Sequence, residues 1–389
     1  MIITRDIIRE LADFQSSEND AITFYFQPDT PQDKSHRQEA ILVRDVVKDA
    51  MRRADRAGKN GAVRADLTRI LDLAEKLHGN QGNAKAVFAC AAREFWREFD
   101  VPVRTVSSGT NLQMNSRFHL RPLARFCESL ERTVVCLIDR SKARFFELQG
   151  ETVTEQEPLI EEIRRTRSDG FEGFDAGHAE RRVENDASNH FKRAGERLLE
   201  RYGNGGCDHI LIGCRDEMWP MIERQLHPYV KQRLAGHFVI DTATPSAEDV
   251  RQHAKRALEQ HRTKYRHDLL SEVLDEARAN NHGALGLRRV LRSLEQGEMQ
   301  ALLIGEGFSA EGVECDNCGH IDMRMVPSCA MCGQKTHDID DICDALIGRA
   351  LRSRAAVIHI PANPEFERAG NIGALLRFRA DRSVGEMLA

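Results

Sequence analysis

Residues 133–151 read TVVCLIDRSKARFFELQGE. Two apolar runs, Val134–Ile138 and Ala143–Leu148, flank Asp139, Arg140, Ser141 and Lys142. Runs of β-formers around a short polar break predict a β-hairpin. Downstream lies a polar, Gly-rich stretch, RRTRSDGFEGFDAGH (164–178). Beyond it Val183, Ala187, Phe191, Ala194 and Leu198 recur at helical spacing, and Gly203 is the expected C-cap. HILIGC (209–214) predicts a buried strand, PMIERQLHPYVKQRL (220–234) a helical stretch around Pro228, and HFVID (237–241) another strand. Strands alternating with helices make this an α/β sheet.

The chain around this core has 389 residues, room for two to four domains of roughly 100–200 residues each. Its 56 Lys+Arg against 61 Asp+Glu leave a net charge of −5, which excludes a uniformly basic nucleic-acid binder but not local basic patches. Ten cysteines are too few for a disulfide scaffold. No run reaches the roughly 18–20 apolar residues that span a bilayer, so no membrane partner is expected. The opening MIITRDIIRELADF lacks the pattern of a signal peptide; Ile7, Ile8, Leu11 and Phe14 instead mark an amphipathic helix. A cytoplasmic protein with reduced thiols is the expectation.

Upstream, AITFYFQP (21–28) reads as a buried strand stopped by Pro28, and about 35–77 as helical with a Gly-containing basic break at 58–64. AVFACA (86–91) and SRFHLRPLA (116–124) read as further strands or strand ends. Toward the C-terminus, Ser246 is the expected N-cap of a helix running to about Ala279, with Glu248 and Asp249 in its first turn. Its middle carries Lys255, Arg256, Arg262, Lys264 and Arg266. That run reads either as a solvated face or as an RNA-phosphate contact. ANNHGALG (279–286) reads as a linker. Leu287, Val290, Leu291 and Leu294 then form a helical stripe, ALLIG (301–305) a strand, CDALIGRAL (343–351) a helix, and AAVIHI (355–360) and GALLRF (373–378) two more strands.

Between the first of these strands and the next helix lies CDNCGHIDMRMVPSCAMCGQ. Cys315 and Cys318 form one Cys-x-x-Cys pair, Cys329 and Cys332 a second. Two thiolate pairs on tight turns predict a tetrahedral zinc site with four cysteine ligands; an iron–sulfur site is the lesser reading. With four protein ligands no position remains for water, so the zinc is expected to be structural. His320 and His337 are surplus to a closed site. The remaining cysteines, Cys90, Cys127, Cys136, Cys207, Cys214 and Cys343, mostly sit in apolar runs and read as small core residues.

Together these features resemble the archaeal/eukaryotic class-one peptide-chain release factor and Pelota family. TVVCLIDRSKARFFELQGE resembles the opening hairpin of that family's ribonuclease-H-like central domain. LRRVLRSLEQGEMQALLIGEGF (287–308) resembles the start of its third domain, which has the fold of a kink-turn-binding ribosomal protein. GNIGALLRF (370–378) matches the closing strand, and the Cys pairs fall where archaeal members carry a zinc mini-domain. The resemblance covers about residues 129–389 and reaches the first domain only by position. It implies an α/β, three-domain architecture: an N-terminal α/β domain (1–128), a ribonuclease-H-like central domain (129–280) with a Gly-rich loop at 166–180 and a long linking helix, and an α/β sandwich (281–389) carrying the zinc ribbon at 313–334.

The resemblance also implies a monomeric factor that enters the ribosomal A site, contacts ribosomal RNA and P-site tRNA, and acts in termination, rescue or dormancy (hibernation), with a translational GTPase as a further candidate partner. In release factors a Gly-Gly-Gln tip in the central loop positions water at the peptidyl-tRNA ester. Here the loop has Gly170, Phe171, Gly173, Phe174, Gly177 and His178, with no consecutive glycines and no Gln between Gln156 and Gln225. No Asn-Ile-Lys-Ser stop-codon motif occurs in the first domain. A ribosome-binding factor without an intact hydrolytic tip ranks first. A peptidyl-tRNA hydrolase using 170–178, with His178 as its candidate base, ranks second. Phe171 and Phe174 suit either stacking on RNA bases or packing on their own domain. A zinc-ribbon RNA-binding protein acting off the ribosome ranks third.

Overall fold

The computed structural model describes residues 3, 5–16, 20–27, 37–56, 58, 61–76, 84–101, 110–126, 131–150, 152–160, 176–242, 244–339 and 341–380; side chains at 5, 37–38, 74–76, 124–126 and 176–183 fall outside that description. The chain forms two compact units, one from Met1–Glu128 with Asp268–Ala389, the other from Ser129–His267.

The first unit begins with α1 (Arg5–Asp13), β1 (Ala21–Phe26), α2 (Arg37–Arg56), α3 (Gly61–Lys76), β2 (Ala84–Cys90), β3 (Phe95–Val101), β4 (Asn111–Asn115) and α4 (Arg121–Phe126). The antiparallel sheet order is β3-β2-β1-β4. β1 has a neighbour on each side and is buried at every position, which is why AITFYF shows no polar alternation. Ile22 and Phe24 join Val43, Val47, Leu67 and Ile70 of α2 and α3 in one core. Aromatic rings fill the other face: Tyr25 meets Phe88 edge-on at 5.9 Å, and Phe118 stacks on Phe14 at 4.5 Å. The strand or strand end expected over 116–124 falls just beyond β4, which stops at Asn115, and Arg121 opens α4 with Pro122 in its first turn. A missing N–H costs nothing there, because helical N–H groups in the first turn have no intrahelical acceptor.

The second unit contains β5 (Thr133–Ile138), β6 (Lys142–Gln149), β7 (Thr152–Ile160), α5 (Ala176–Tyr202), β8 (His209–Cys214), α6 (Trp219–Gln225), α7 (Pro228–Lys231), β9 (Leu234–Val239) and the start of α8 (Ala247–Arg278). Its sheet runs β7-β6-β5-β8-β9, with β5, β8 and β9 parallel. The expected hairpin is β5–β6, in register at Ile138↔Ala143. Its turn is set by Asp139, whose carboxylate accepts the backbone N–H of Ser141 and of Lys142, each at 2.8 Å. Both faces of β5 are covered. Val134, Cys136 and Ile138 pack with Ala187, Phe191, Ala194 and Leu198 of α5, while Val135 and Leu137 pack with Val250, Ala254 and Leu258 of α8. Alternate burial on two faces explains the unbroken apolar run. Gly203 follows α5 as expected, but the left-handed backbone comes at Gly205 (φ 98°). At Gly203 closeness excludes a side chain: a Cβ would lie 2.4 Å from the Leu199 carbonyl oxygen.

The rest of the first unit comprises the end of α8, then β10 (Gly283–Leu285), α9 (Leu287–Glu295), β11 (Met299–Gly305), β12 (Gly312–Cys315), β13 (Ile321–Asp322), β14 (Thr336–Ile339), α10 (Ile342–Arg352), β15 (Ala356–Ile360), α11 (Pro364–Arg368) and β16 (Ile372–Leu376). The sheet order is β10-β16-β11-β15. α9 and α10 cover one face through Val290, Leu291, Leu294, Leu346 and Ile347. Leu269, Leu270, Val273 and Leu274 of α8 cover the other. The stretch expected as a linker at 279–286 therefore contains a strand, because Ala284 pairs with Ala374 and is buried between the layers. A separate three-stranded sheet, β13-β12-β14, carries the cysteine pairs. Among the described residues no helix is long and apolar enough to cross a membrane.

Candidate metal centre and basic helix

The cysteine cluster is built from two similar turns. In the first, the Gly319 N–H donates to the Cys315 carbonyl at 3.0 Å, and in the second the Gly333 N–H donates to Cys329 at 2.9 Å. Each turn places a glycine at φ near 70° (Gly319 67°, Gly333 72°), a region that side chains disfavour. Backbone N–H groups also face sulfur: Cys318 N–H to Cys315 Sγ at 3.5 Å, Met331 N–H to Cys329 Sγ at 3.3 Å. All four Sγ atoms lie within 4.8 Å of one another, with Cys315–Cys332 at 3.4 Å and Cys318–Cys329 at 3.6 Å. A tetrahedron with metal–sulfur bonds of ~2.3 Å has sulfur–sulfur edges of about 3.8 Å. These thiols are well apart from the ~2.05 Å of a disulfide, and the donor set fits a metal ion. Without a metal the cluster divides its protons unevenly: the Gln334 backbone N–H pulls the Cys332 thiol down to about 6, while burial pushes the Cys318 thiol up to about 12, so binding a metal there displaces protons.

His320 pairs with Glu295, and His337 with Asp316 at 2.6 Å, so both histidines have acidic partners outside the sulfur cluster. Among the other cysteines, burial raises Cys90, Cys207 and Cys214 to about 11 and Cys343 to about 12, and raises Cys136 further still. They are protonated core thiols at neutral pH. Cys127 lies outside the described residues.

The basic run on α8 divides into two kinds of residue. Lys255, Arg256 and Lys264 are exposed. Arg262 is part-buried and donates to Glu131 at 2.9 Å; Arg266 is part-buried and 3.5 Å from Glu259. Glu131 also meets His209 at 3.0 Å, beside His261. Burial pushes the Glu131 carboxyl up, but the hydrogen bonds from His209 and Arg262 outweigh it and hold it below the usual range. Burial, then the charge of His209, lowers His261. Helical spacing alone did not distinguish the cations that anchor α8 from those that face solvent.

Gly170, Phe171, Gly173 and Phe174 lie outside the described residues, and Gly177 and His178 are described only as backbone in the first turn of α5. Another set of residues went unnoticed in the sequence. Arg117 donates to Glu314 at 2.9 Å, His119 pairs with Asp344, and Arg121 pairs with Asp341 and donates to the Phe308 carbonyl at 2.9 Å. The signal was present as alternation, since Phe118 and Leu120 between them are buried.

Residues 119–260 match the profile of bacterial archaeo-eukaryotic release factor family 10. Over that segment the chain is similar to bacterial archaeo-eukaryotic release factors. A peptide chain release factor subunit 1 from Pyrococcus abyssi is 27% identical over 179 residues. That alignment covers 40% of this chain and 43% of the relative, so the chain matches less than half the length of that curated protein. Among solved structures, the archaeal translation termination factor aRF1 is 18% identical, covering 97% of this chain and 99% of its own, with a TM-score of 0.25. A structure of ribosome-bound archaeal Pelota and ABCE1 is 14% identical, covering 78% and 79%, with a TM-score of 0.40. The matched segment includes the β5–β6 hairpin, α5 and the first part of α8.

Proposed function

We propose that this release-factor-like protein is a translation factor that binds the ribosomal A site and acts in rescue, dormancy or termination without an intact Gly-Gly-Gln tip. The profile match over residues 119–260 carries this reading. The absence of any Gln between Gln156 and Gln225 supports its non-hydrolytic form. In this reading the chain is organised as domains 1–128, 129–280 and 281–389. The Cys315–Cys318–Cys329–Cys332 cluster holds a structural zinc, for which four thiolates are a preferred donor set. Such a metal stiffens a sheet too small to sustain a core of its own. Lys255, Arg256 and Lys264 contact ribosomal RNA phosphates, while Arg262 keeps α8 seated through Glu131.

The test is co-sedimentation of the purified chain with 70S ribosomes across a salt series. Binding is expected at about 50 mM salt and should weaken at least tenfold by about 200 mM, the behaviour of an interface that neutralises several phosphates. Lys255→Glu, Arg256→Glu and Lys264→Glu together should flatten that dependence. Lack of ribosome binding at low salt would overturn the proposal. Peptide release from a stalled nascent-chain complex, abolished when 170–178 is replaced by a Gly-Ser linker, would instead establish the hydrolase.

A further inference from the structure

In the first unit, α10 ends in a closed turn that leads into β15. The Arg354 N–H donates to the Leu351 carbonyl at 3.2 Å, and the Ala355 N–H to the Ala350 carbonyl at 2.9 Å. This turn holds Arg354 in the left-handed region, at φ 60°. Glycine is the usual residue at that position, because a Cβ is disfavoured there. Arg354 is exposed, and its side chain has no hydrogen bond or ion pair among the described residues. An arginine held at a conformational cost, with no contact to offset it, points to a use outside the fold.

Three more guanidiniums gather around this turn. Arg349 donates to the Gly319 carbonyl at 3.1 Å, and Arg377 donates to the Ser353 and Arg354 carbonyls at 3.3 and 3.2 Å. Arg352 shares a side of α10 with Arg349, three residues away. None of the four forms an ion pair with a carboxylate among the described residues. Of the acids beside them, Glu314 is held by Arg117 and the buried Glu298 by Arg289. Asp13 is exposed and does not come within ion-pair distance of Arg352. Burial, then the charges of Arg117 and Arg349, lower Arg352 to about 10, although Glu314 and Asp13 pull the other way. The end of a helix offers only about half a negative charge, too little for four cations. The cluster therefore carries positive charge that the fold does not neutralise.

An aromatic ring narrows the ligand. β16 is antiparallel to β11, and β11 is parallel to β15, so the end of β16 and the start of β15 share one end of the sheet. Phe378, two residues past β16 and next to Arg377, is 47% exposed there. Guanidiniums beside an exposed ring are the combination that holds a nucleic-acid single strand, with cations on the phosphates and a base stacked on the ring. An acidic peptide would use the cations and leave the ring idle. We propose that Arg352, Arg354, Arg377 and Phe378, at the C-terminal end of α10, bind single-stranded RNA. The guanidiniums meet backbone phosphates, and the ring stacks on a base. The site belongs to the first unit, whereas Lys255, Arg256 and Lys264 belong to the second, so it stands independently of their proposed role.

The experiment is fluorescence anisotropy of the full chain carrying Lys255→Glu, Arg256→Glu and Lys264→Glu, which removes the exposed cations of α8. The probes are a labelled RNA single strand of about 12 nucleotides, the matching RNA duplex and a polyglutamate peptide. The single strand should bind with a Kd below about 100 μM at about 50 mM salt. Arg352→Ala with Arg354→Gly should weaken binding about tenfold and lower the slope of log affinity against log salt by about 1.4, the share of two phosphate contacts. Phe378→Ala should weaken the single strand about fivefold or more and leave the duplex unchanged. Arg354→Gly alone should weaken binding while the thermal midpoint holds or rises, because glycine relaxes the left-handed turn; that variant separates ligand loss from a loosened fold. No saturable binding of the single strand would overturn the proposal, as would affinity and salt slope unaltered in the Arg352→Ala, Arg354→Gly protein. Tighter binding of polyglutamate would overturn the ligand class.

Discussion

Glu314→Ala should destabilise the first unit by about 3 kcal/mol. The side chains of Arg117 and Glu314 are only 13% and 6% exposed, and their ion pair is 2.9 Å long. Removing one partner of such a buried pair costs roughly 3–5 kcal/mol, because the other charge stays buried without compensation. The lower end applies here, since Arg117 keeps the Gln15 side-chain oxygen as an acceptor at 2.8 Å. The chain's two tryptophans make the assay specific. Trp96 lies in the first unit under the Arg69 guanidinium, and Trp219 lies in the second, stacked on His237. Urea unfolding followed by fluorescence in a Trp219→Phe background therefore reads the first unit alone. With a urea m-value of about 3 kcal/mol/M for a large unit, the midpoint should fall by about 1 M. Arg117→Leu combined with Glu314→Leu should recover most of the loss, because an apolar pair leaves no stranded charge. A midpoint change below about 0.3 M would refute the reasoning, as would an equal change in the Trp219 transition read in a Trp96→Phe background.

The proposed structural zinc predicts one zinc per chain by elemental analysis, and Cys329→Ser should lower that figure and remove amide-exchange protection across 312–339, because metal-binding free energy is folding free energy in so small a sheet. In the second unit, Glu131→Gln should cost about 1–3 kcal/mol in the Trp219 transition. The pH dependence has a defined sign: the folded Glu131 carboxyl lies below its usual 4.5, so its contribution is complete above that value and lost as pH falls through the folded one. A Glu131→Gln variant whose acid-side stability profile matches the parent would contradict this. Phe191→Ala, at the centre of the packing between α5 and the sheet, should cost about 3–5 kcal/mol by denaturant titration while leaving the zinc content unchanged.

How much of this was legible beforehand depended on the range of the signal. The β5–β6 hairpin was written in two apolar runs and a turn-forming Asp139, the α5 stripe in Ala187, Phe191, Ala194 and Leu198, and the cluster of four thiols in the spacing of the cysteines. Each depends on neighbours in sequence, where backbone geometry turns spacing directly into position. The stretch 116–124, expected as a strand or strand end, shows the limit. Its alternation of Arg117, His119 and Arg121 with apolar residues was real, but it served long-range ion pairs rather than a ladder.

The chain by itself determined the α/β class, the hairpin that opens the central region, the apolar stripe of α5 and the four thiols, but not β7, whose exposed edge position leaves no apolar run. These follow from periodicity and local turn chemistry, which act over a few residues. Tertiary structure alone decided that Arg262 anchors α8 on Glu131 while Arg256 and Lys264 stand exposed. It also brought Arg117 to Glu314, His119 to Asp344 and Arg121 to Asp341. Charges of the same type and helical spacing differ only in what the rest of the fold places opposite them, and that pairing, across many residues of intervening chain, sets which charges are spent on structure and which remain for a ligand or a partner.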